Sequence, residues 1–266
     1  MKRTKRKALG QHFLKNPFVL RKILRVISPQ ENELLVEIGP GKGALTFPLT
    51  QKAGKVIAIE KDKAFFSFLK ERQVSNLELL EADVLKVDFD QLVKKETDYR
   101  GRIKLVGNLP YSISSPLLFK VLQTKELFSE CIFLLQKEVA ERICALPGSK
   151  KYAPLSIIFQ IYFSTHLHFY VSPNSFSPPP QVESALISLK KSSPLFCLEN
   201  KELFQKFLRN AFQHRRKMLW NNLLRLNLPQ ALLHEAYQKC DLERNARPEQ
   251  VSIAQFVCLF HILVEK

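Results

Sequence analysis

Leu34-Leu35-Val36-Glu37-Ile38-Gly39-Pro40-Gly41-Lys42-Gly43 joins an apolar run to three glycines, and a helix-like stretch opens at Ala44. A short apolar run bounded by a glycine turn reads as a buried strand. Strand, glycine turn and helix make the first half of a ligand-binding α/β unit. Glycines let the backbone approach a ligand closely, and the helix N-terminus offers free N–H groups. The turn is not a P-loop, because no Gly-Lys-Ser/Thr ends it. Its G-x-G-x-G spacing also differs from the G-x-G-x-x-G of dinucleotide sites.

The next segments repeat the pattern. Val56 to Ile59 reads as a second strand ending in Glu60, about 20 residues past the glycine turn, where a ribose-binding carboxylate belongs. A ribose diol offers two O–H donors, and a carboxylate accepts both. The competing reading is a surface Glu opening the helix Lys63 to Arg72. Leu77 to Leu80 reads as a third strand, with Asp83 just beyond its C-terminal edge. A carboxylate there can accept from an adenine amine, or serve only as a turn residue. Ile103 to Val106 reads as a fourth strand and delivers Asn108. Gly39, Glu60, Asp83 and Asn108 thus fall at one edge of a parallel sheet, where ligands of open α/β sheets bind. That convergence argues for an adenosine-type cofactor beside a reactive amine.

Asn108-Leu109-Pro110-Tyr111 carries the chemistry. An adenine exocyclic amine is a poor nucleophile, because its lone pair is delocalised into the ring. The Asn108 amide oxygen and the Leu109 carbonyl can accept both of its hydrogens, which draws the nitrogen towards tetrahedral geometry. Pro110 has no N–H and a fixed φ, so it holds that carbonyl in place. Tyr111 offers a flat face for base stacking. Asn, Pro and Ser are also ordinary turn residues, so the tetrapeptide needs support from the rest of the chain.

The chain has 266 residues and a formal net charge of +16, which favours a polyanionic partner. No apolar run approaches a membrane span, and the basic N-terminus lacks the apolar region of a secretory signal. Cytoplasmic residence is expected. Cys131, Cys144, Cys197, Cys240 and Cys258 are well separated and form no C-x-x-C pair. They read as reduced thiols, not as a disulfide framework or zinc ligands. His166 and His168 alternate with apolar neighbours on a strand-like stretch and lack a third ligand nearby, so no metal is expected.

The first residues, with Lys2, Arg3, Lys5, Arg6 and Lys7, form a basic arm open to two roles, a solvated tail or a nucleic-acid contact. Phe18 to Ile27 reads as a helix started by Asn16-Pro17. Cys131 to Leu135 is a fifth strand, and Ile157 to Phe163 reads as a long central strand. Phe176-Ser177-Pro178-Pro179-Pro180 puts an aromatic on a stiff loop, either to clamp a base or to anchor the loop to the core. Val182 to Leu189 alternates towards a last strand. After a boundary at Ser192-Ser193-Pro194 the pattern becomes helical, with Arg215-Arg216-Lys217 on the stretch Gln213 to Leu224. That cluster either touches phosphates or forms a solvated face.

Together these stretches resemble the small-subunit (16S) ribosomal RNA adenine N6,N6-dimethyltransferases. The likeness runs through Gly10-Gln11-His12-Phe13-Leu14, Glu37 to Thr46, Glu60, Asp83, Asn108 to Tyr111, Phe176 to Ser184 and His214 to Lys217. Pro40 and Leu109 set it apart from the large-subunit adenine methylases of macrolide resistance. The resemblance implies a Rossmann-like α/β sheet of seven mostly parallel strands with an antiparallel edge strand, and a small C-terminal all-α domain. The implied division is 1–26 arm and cofactor-covering segment, 27–191 catalytic domain and 195–266 helical domain. It implies S-adenosylmethionine as cofactor, held by His12, Leu14, Gly39, Gly41, Glu60, Asp83 and Asn108. Catalysis falls to Asn108, Leu109, Pro110 and Tyr111, and substrate contact to Tyr111, Phe176, Arg215, Arg216 and Lys217. The implied partner is small-subunit rRNA in a pre-ribosomal 30S-type particle, bound by a monomer, with two adjacent adenosines dimethylated in the 3′-terminal hairpin. A non-catalytic RNA-binding assembly factor and a DNA adenine methyltransferase are the rival functions.

Overall fold

The structure is a computed structural model, which describes residues 12–99, 102–192, 196, 198 and 200–264. The arm from Lys2 to Lys7, Gly10-Gln11, Ser193-Pro194 and Cys197 lie outside the described residues. Nine strands lie among the described residues, in chain order: β1 Phe13–Leu14, β2 Leu34–Ile38, β3 Lys55–Glu60, β4 Leu77–Glu81 and β5 Ile103–Asn108. Then come β6 Glu130–Gln136, β7 Phe163–Val171, β8 Phe176–Ser177 and β9 Ser184–Lys191. Seven of them form one sheet in the order β4-β3-β2-β5-β6-β9-β7, while β1 and β8 pair separately.

The sheet's C-terminal edge is level. β2, β3, β4 and β5 are parallel, with Ile38 beside both Ile59 and Gly107, and Glu60 beside Glu81. Residues that follow these strands therefore emerge side by side. β2 is buried along its whole length, as a central parallel strand covered on both faces must be. Helix Pro17–Ile27 packs Ile23 and Ile27 into the cluster that contains Leu35, Val106 and Leu134. Asn16 starts it by accepting from the Phe18 and Val19 N–H groups, and Pro17 occupies its first turn.

Four expectations need correction. The antiparallel strand is not at the edge: β9 runs antiparallel to β6, and β7 lies outside it. Ile157 to Phe163 is not a central strand but mostly helix, within Pro154–Tyr162. Seven apolar residues fit a buried strand or a buried helix equally well. Pro154 in the first turn and the Ser156 hydroxyl accepting from the Ala153 N–H decide for helix. His214 to Lys217 is not helical, because the helix Lys201–Ala211 ends before it and the next begins at Leu219. Cys240 and Cys258 are not reduced thiols but a disulfide, with Cα atoms 5.8 Å apart. Packing of helices Gln230–Lys239 and Ile253–Leu263 brings them together, which an 18-residue separation does not announce.

The chain divides into two compact units. One comprises the described residues up to Ala140 and Ser164–Lys191, and holds the sheet. The other takes Glu141–Phe163 together with the described residues after Lys191. The break expected near residue 192 therefore misses the segment 141–163, whose apolar helix packs with the later helices. Phe204, Phe207 and Phe260 form an aromatic cluster in this unit, with ring centroids 5.0 and 5.8 Å from Phe260. No helix among the described residues is long and apolar enough to cross a membrane.

Phe159 is fully buried on the helix that the sequence suggested was a strand. Phe159→Ala should cost about 3–5 kcal/mol, read as a lowered urea midpoint. A loss under about 1 kcal/mol would contradict this packing.

Candidate active site

The level strand ends surround a cavity of about 400 Å³, within the range of small-molecule sites. Gly39 and Gly41 reach it from the turn after β2, Glu60 from the end of β3, and Asp83 from just beyond β4. Asn108, Leu109, Pro110 and Tyr111 line it from β5, and His12 lines it from the segment before β1. Leu14 lines an adjoining cavity of about 200 Å³ together with Glu37, Gly39 and Asn108.

The glycine turn has its shape for two separate reasons. Gly39 has φ +65°, a left-handed conformation that glycine adopts without strain. Gly41 has φ +56°, and a Cβ there would lie 2.9 Å from Phe13 Cε1. Glu60 then clamps the turn: its Oε2 accepts from the Gly41 N–H at 3.0 Å and its Oε1 from the Asp62 N–H at 2.8 Å. Each carboxylate oxygen keeps a second lone pair, so a diol can still be bound. Burial raises the Glu60 pKa, and its backbone N–H bonds oppose the shift. Asp83 is the opposite case. Lys61, 2.9 Å away, holds its carboxyl below the usual range against partial burial, and the Leu85 N–H adds to that.

Asn108 is oriented by chain folding. Its Nδ2 donates to the His12 carbonyl at 2.8 Å. A carbonyl only accepts, so the NH₂ must face it and the amide oxygen is left as an acceptor. His12 is itself held, since its Nδ1 lies 2.8 Å from the Pro178 carbonyl and must be the donor. Behind it, Phe13 pairs with Ser177 and Leu14 with Phe176. Pro110 O accepts from the Ile113 N–H and the Ser114 hydroxyl. Among the described residues, nothing donates to the Leu109 carbonyl. The Tyr111 hydroxyl lies 2.8 Å from Ser184 Oγ, and its ring centroid is 5.5 Å from that of His12. Burial raises the Tyr111 phenol pKa.

Phe176 does not join this group. It is 1 % exposed, belongs to the apolar core with Leu14 and Leu186, and does not line the cavity. The loop-anchoring role is the one the packing supports. Arg215, Arg216 and Lys217 belong to the other unit. Arg215 Nη2 donates to the Lys150 and Tyr152 carbonyls, so it braces a loop, while Arg216 and Lys217 are exposed. No group of His, Cys, Asp or Glu among the described residues could hold a metal ion.

Sequence reading missed Phe13, which borders both cavities and sits edge-on to Phe65, and Ser184, which fixes the Tyr111 hydroxyl. It also missed Glu37, which is fully buried beside the second cavity. Its Oε2 has no hydrogen-bond partner among the described residues. Burial pushes its carboxyl up to about 7, and the charge of Glu60 adds to this. The nearby Thr46 hydroxyl opposes the shift. The only signal was an acid inside an apolar strand, where no partner is visible from sequence.

The strand order, the glycine turn, the acids at two strand ends and the amide at a third define a Rossmann-like, S-adenosylmethionine-dependent methyltransferase. The family model described as "Ribosomal RNA adenine dimethylase" matches residues 2–265. A ribosomal RNA small subunit methyltransferase A from Xylella fastidiosa is 39 % identical over 257 residues, covering 96 % of this chain and 94 % of its own. The protein of that name from Geobacter metallireducens is 37 % identical over 259 residues, with the same coverage. A crystal structure of a dimethyladenosine transferase from Plasmodium falciparum matches with TM-score 0.78 and 30 % identity, covering 94 % of this chain and 96 % of that one. The 23S rRNA methyltransferase ErmE shares the fold, with TM-score 0.72 at 22 % identity, over 94 % of this chain and 99 % of that one. The chain belongs to the ribosomal RNA adenine dimethylase family. It is an rRNA adenine dimethyltransferase whose cofactor is S-adenosylmethionine.

Glu37 should leave a mark on stability. Its folded-state pKa of about 7 lies above the ordinary 4.5, so between these values the unfolded chain releases a proton that the folded chain keeps. Stability attributable to Glu37 therefore falls as pH rises through that window, by at most about 3 kcal/mol, and then levels off. Glu37→Gln should lose less stability than wild type between pH 5 and pH 8 and be the more stable protein at pH 8. Urea midpoints at both pH values decide this, and parallel pH profiles would contradict it.

Proposed function

We propose that this enzyme dimethylates N6 of two adjacent adenosines in the 3′-terminal hairpin of small-subunit rRNA. Its substrate is a precursor 30S-type particle, and it acts as a monomer in the cytoplasm. The small-subunit name of the 37–39 % identical relatives and the +16 net charge support this partner. The observation that carries the reading is the Asn108 amide. Its nitrogen is committed to His12, so its oxygen remains to accept from a substrate amine, beside the Tyr111 ring.

Bound S-adenosylmethionine supplies an electrophilic methyl on a sulfonium. Glu60 would hold its ribose diol and Asp83 its adenine amine, with His12, Leu14, Gly39 and Gly41 completing the cofactor contacts. The residues fit such a ligand: two carboxylates at adjoining strand ends and an uncommitted amide oxygen face one cavity. On the substrate side, Tyr111 stacks on a target base withdrawn from its RNA. Asn108 Oδ1 and the Leu109 carbonyl accept the two hydrogens of N6 and expose its lone pair. Pro110 fixes that carbonyl. No general base is needed before attack, because the amine proton becomes acidic once nitrogen bears positive charge. Positioning is the main contribution of the protein. The second methylation uses one acceptor fewer, since a methylated amine has a single N–H left, so the pocket must admit a methyl in place of a hydrogen.

Labelled S-adenosylmethionine and unmethylated small subunits should yield dimethyladenosine on nucleoside analysis, at two residues per particle, and matched DNA should yield none. Asn108→Ala should lower kcat by about 100-fold or more, in the range found for other removed charge-stabilising donors and acceptors. Methyl transfer persisting at the wild-type rate would remove Asn108 from its role.

A further inference from the structure

Two walls of the cavity come from segments far apart in the chain. Ala82, Asp83 and Val84 form one, and Asn108 to Ile113 the other. The second wall runs straight into helix Ser114–Gln123, and that helix carries Lys120. The Lys120 ammonium donates to the carbonyls of Val84 and Leu85, each at 3.0 Å, and to the carbonyl of Val87. An ammonium has three N–H donors, so all are matched to backbone oxygens of one turn. Phe89 lies beneath it, with the nitrogen 4.8 Å from the ring centroid, and is 1 % exposed. Phe89 is in turn held edge-on against Phe128 at 5.4 Å. Burial lowers the Lys120 pKa, and the nearby charges of Asp88 and Asp83 oppose that.

Besides the Lys61–Asp83 pair and the buried Val84 side chain, the turn is held by few bonds of its own. Its own bonds are Lys86 N–H to the Asp83 carbonyl and Leu85 N–H to Asp83 Oδ1, both of which start at the cavity residue. The carbonyls of Val84, Leu85 and Val87 all converge on one side chain. A lysine on a helix face normally reads as solvated, and its stem as surface cover. Here the head group turns inward and joins the two walls.

We propose that Lys120 is a positioning residue for cofactor binding: by tying the 84–87 turn to the helix after Tyr111, it fixes how far Asp83 stands from the Asn108–Tyr111 wall. The proposal deepens the reading of this cavity as the cofactor site and rests on it. Lys120 touches neither ligand. Its effect falls on the affinity for the adenosyl end of the cofactor rather than on the chemical step.

The test uses the full-length protein, with S-adenosylhomocysteine as the probe. Wild type, Lys120→Met, Lys120→Arg and a buried control in β6, Ile132→Ala, are titrated calorimetrically and assayed on unmethylated small subunits. Lys120→Met should weaken S-adenosylhomocysteine at least tenfold and raise the KM for the methyl donor in step, with kcat at saturating donor within threefold of wild type. Lys120→Arg keeps the charge and the donors and should recover most of the affinity. Ile132→Ala should lose stability with affinity within twofold of wild type. An affinity for Lys120→Met no weaker than that of Ile132→Ala would show a purely structural lysine and overturn the proposal. If Lys120→Met does not fold, Phe89→Leu, which removes the ring beneath the ammonium, should weaken the probe at least threefold; unchanged affinity there overturns it too. Wild type failing to bind the probe would instead overturn the cofactor reading of the cavity.

Discussion

The hydrogen bond from Asn108 Nδ2 to the His12 carbonyl decides which atom of the Asn108 amide faces the cavity. An amide can present either its oxygen or its NH₂, and the difference is the difference between accepting from an amine and repelling it. Here a backbone carbonyl makes the choice, 96 residues away in sequence. That carbonyl is held in turn by the short β1–β8 ladder and by His12 Nδ1 at the Pro178 carbonyl. The short segment from His12 to Leu14 therefore sets which way the Asn108 amide faces. Phe176 serves the same end from below, because its buried ring anchors the strand that pairs with Leu14.

Three acids near the cavities live in three environments. Glu37 is buried, its Oε2 has no hydrogen-bond partner among the described residues, and burial pushes it towards neutrality. Glu60 is buried but accepts two backbone N–H groups, which oppose the upward shift. Asp83 is the most accessible and is held ionised by Lys61. The exposed Lys61 pair contributes little stability of its own, since water screens it, and so can be exchanged for a ligand at small cost.

The parallel half of the sheet was legible because each strand ends in a signal: glycines after β2, Glu60 at β3, Asp83 beyond β4 and Asn108 at β5. Period and punctuation are local properties, and the chain obeys them there. The run Ile157 to Phe163 defeated the same logic because a uniformly apolar stretch has no period to read. Phe176 and Arg215 failed for another reason. Their types suit ligand contact, but neighbours distant in sequence claim them first: the apolar core for Phe176, the Lys150 and Tyr152 carbonyls for Arg215. Cys240–Cys258 and the inward turn of Lys120 likewise depend on tertiary packing that no spacing encodes.

A co-crystal structure with S-adenosylhomocysteine and adenosine tests the account most directly. The account predicts Glu60 within hydrogen-bond distance of both ribose hydroxyls, Asp83 at the cofactor's adenine amine, and the adenosine N6 on Asn108 Oδ1 and the Leu109 carbonyl. A cofactor bound away from Glu60, or an Asn108 amide turned so that its NH₂ meets N6, would contradict it.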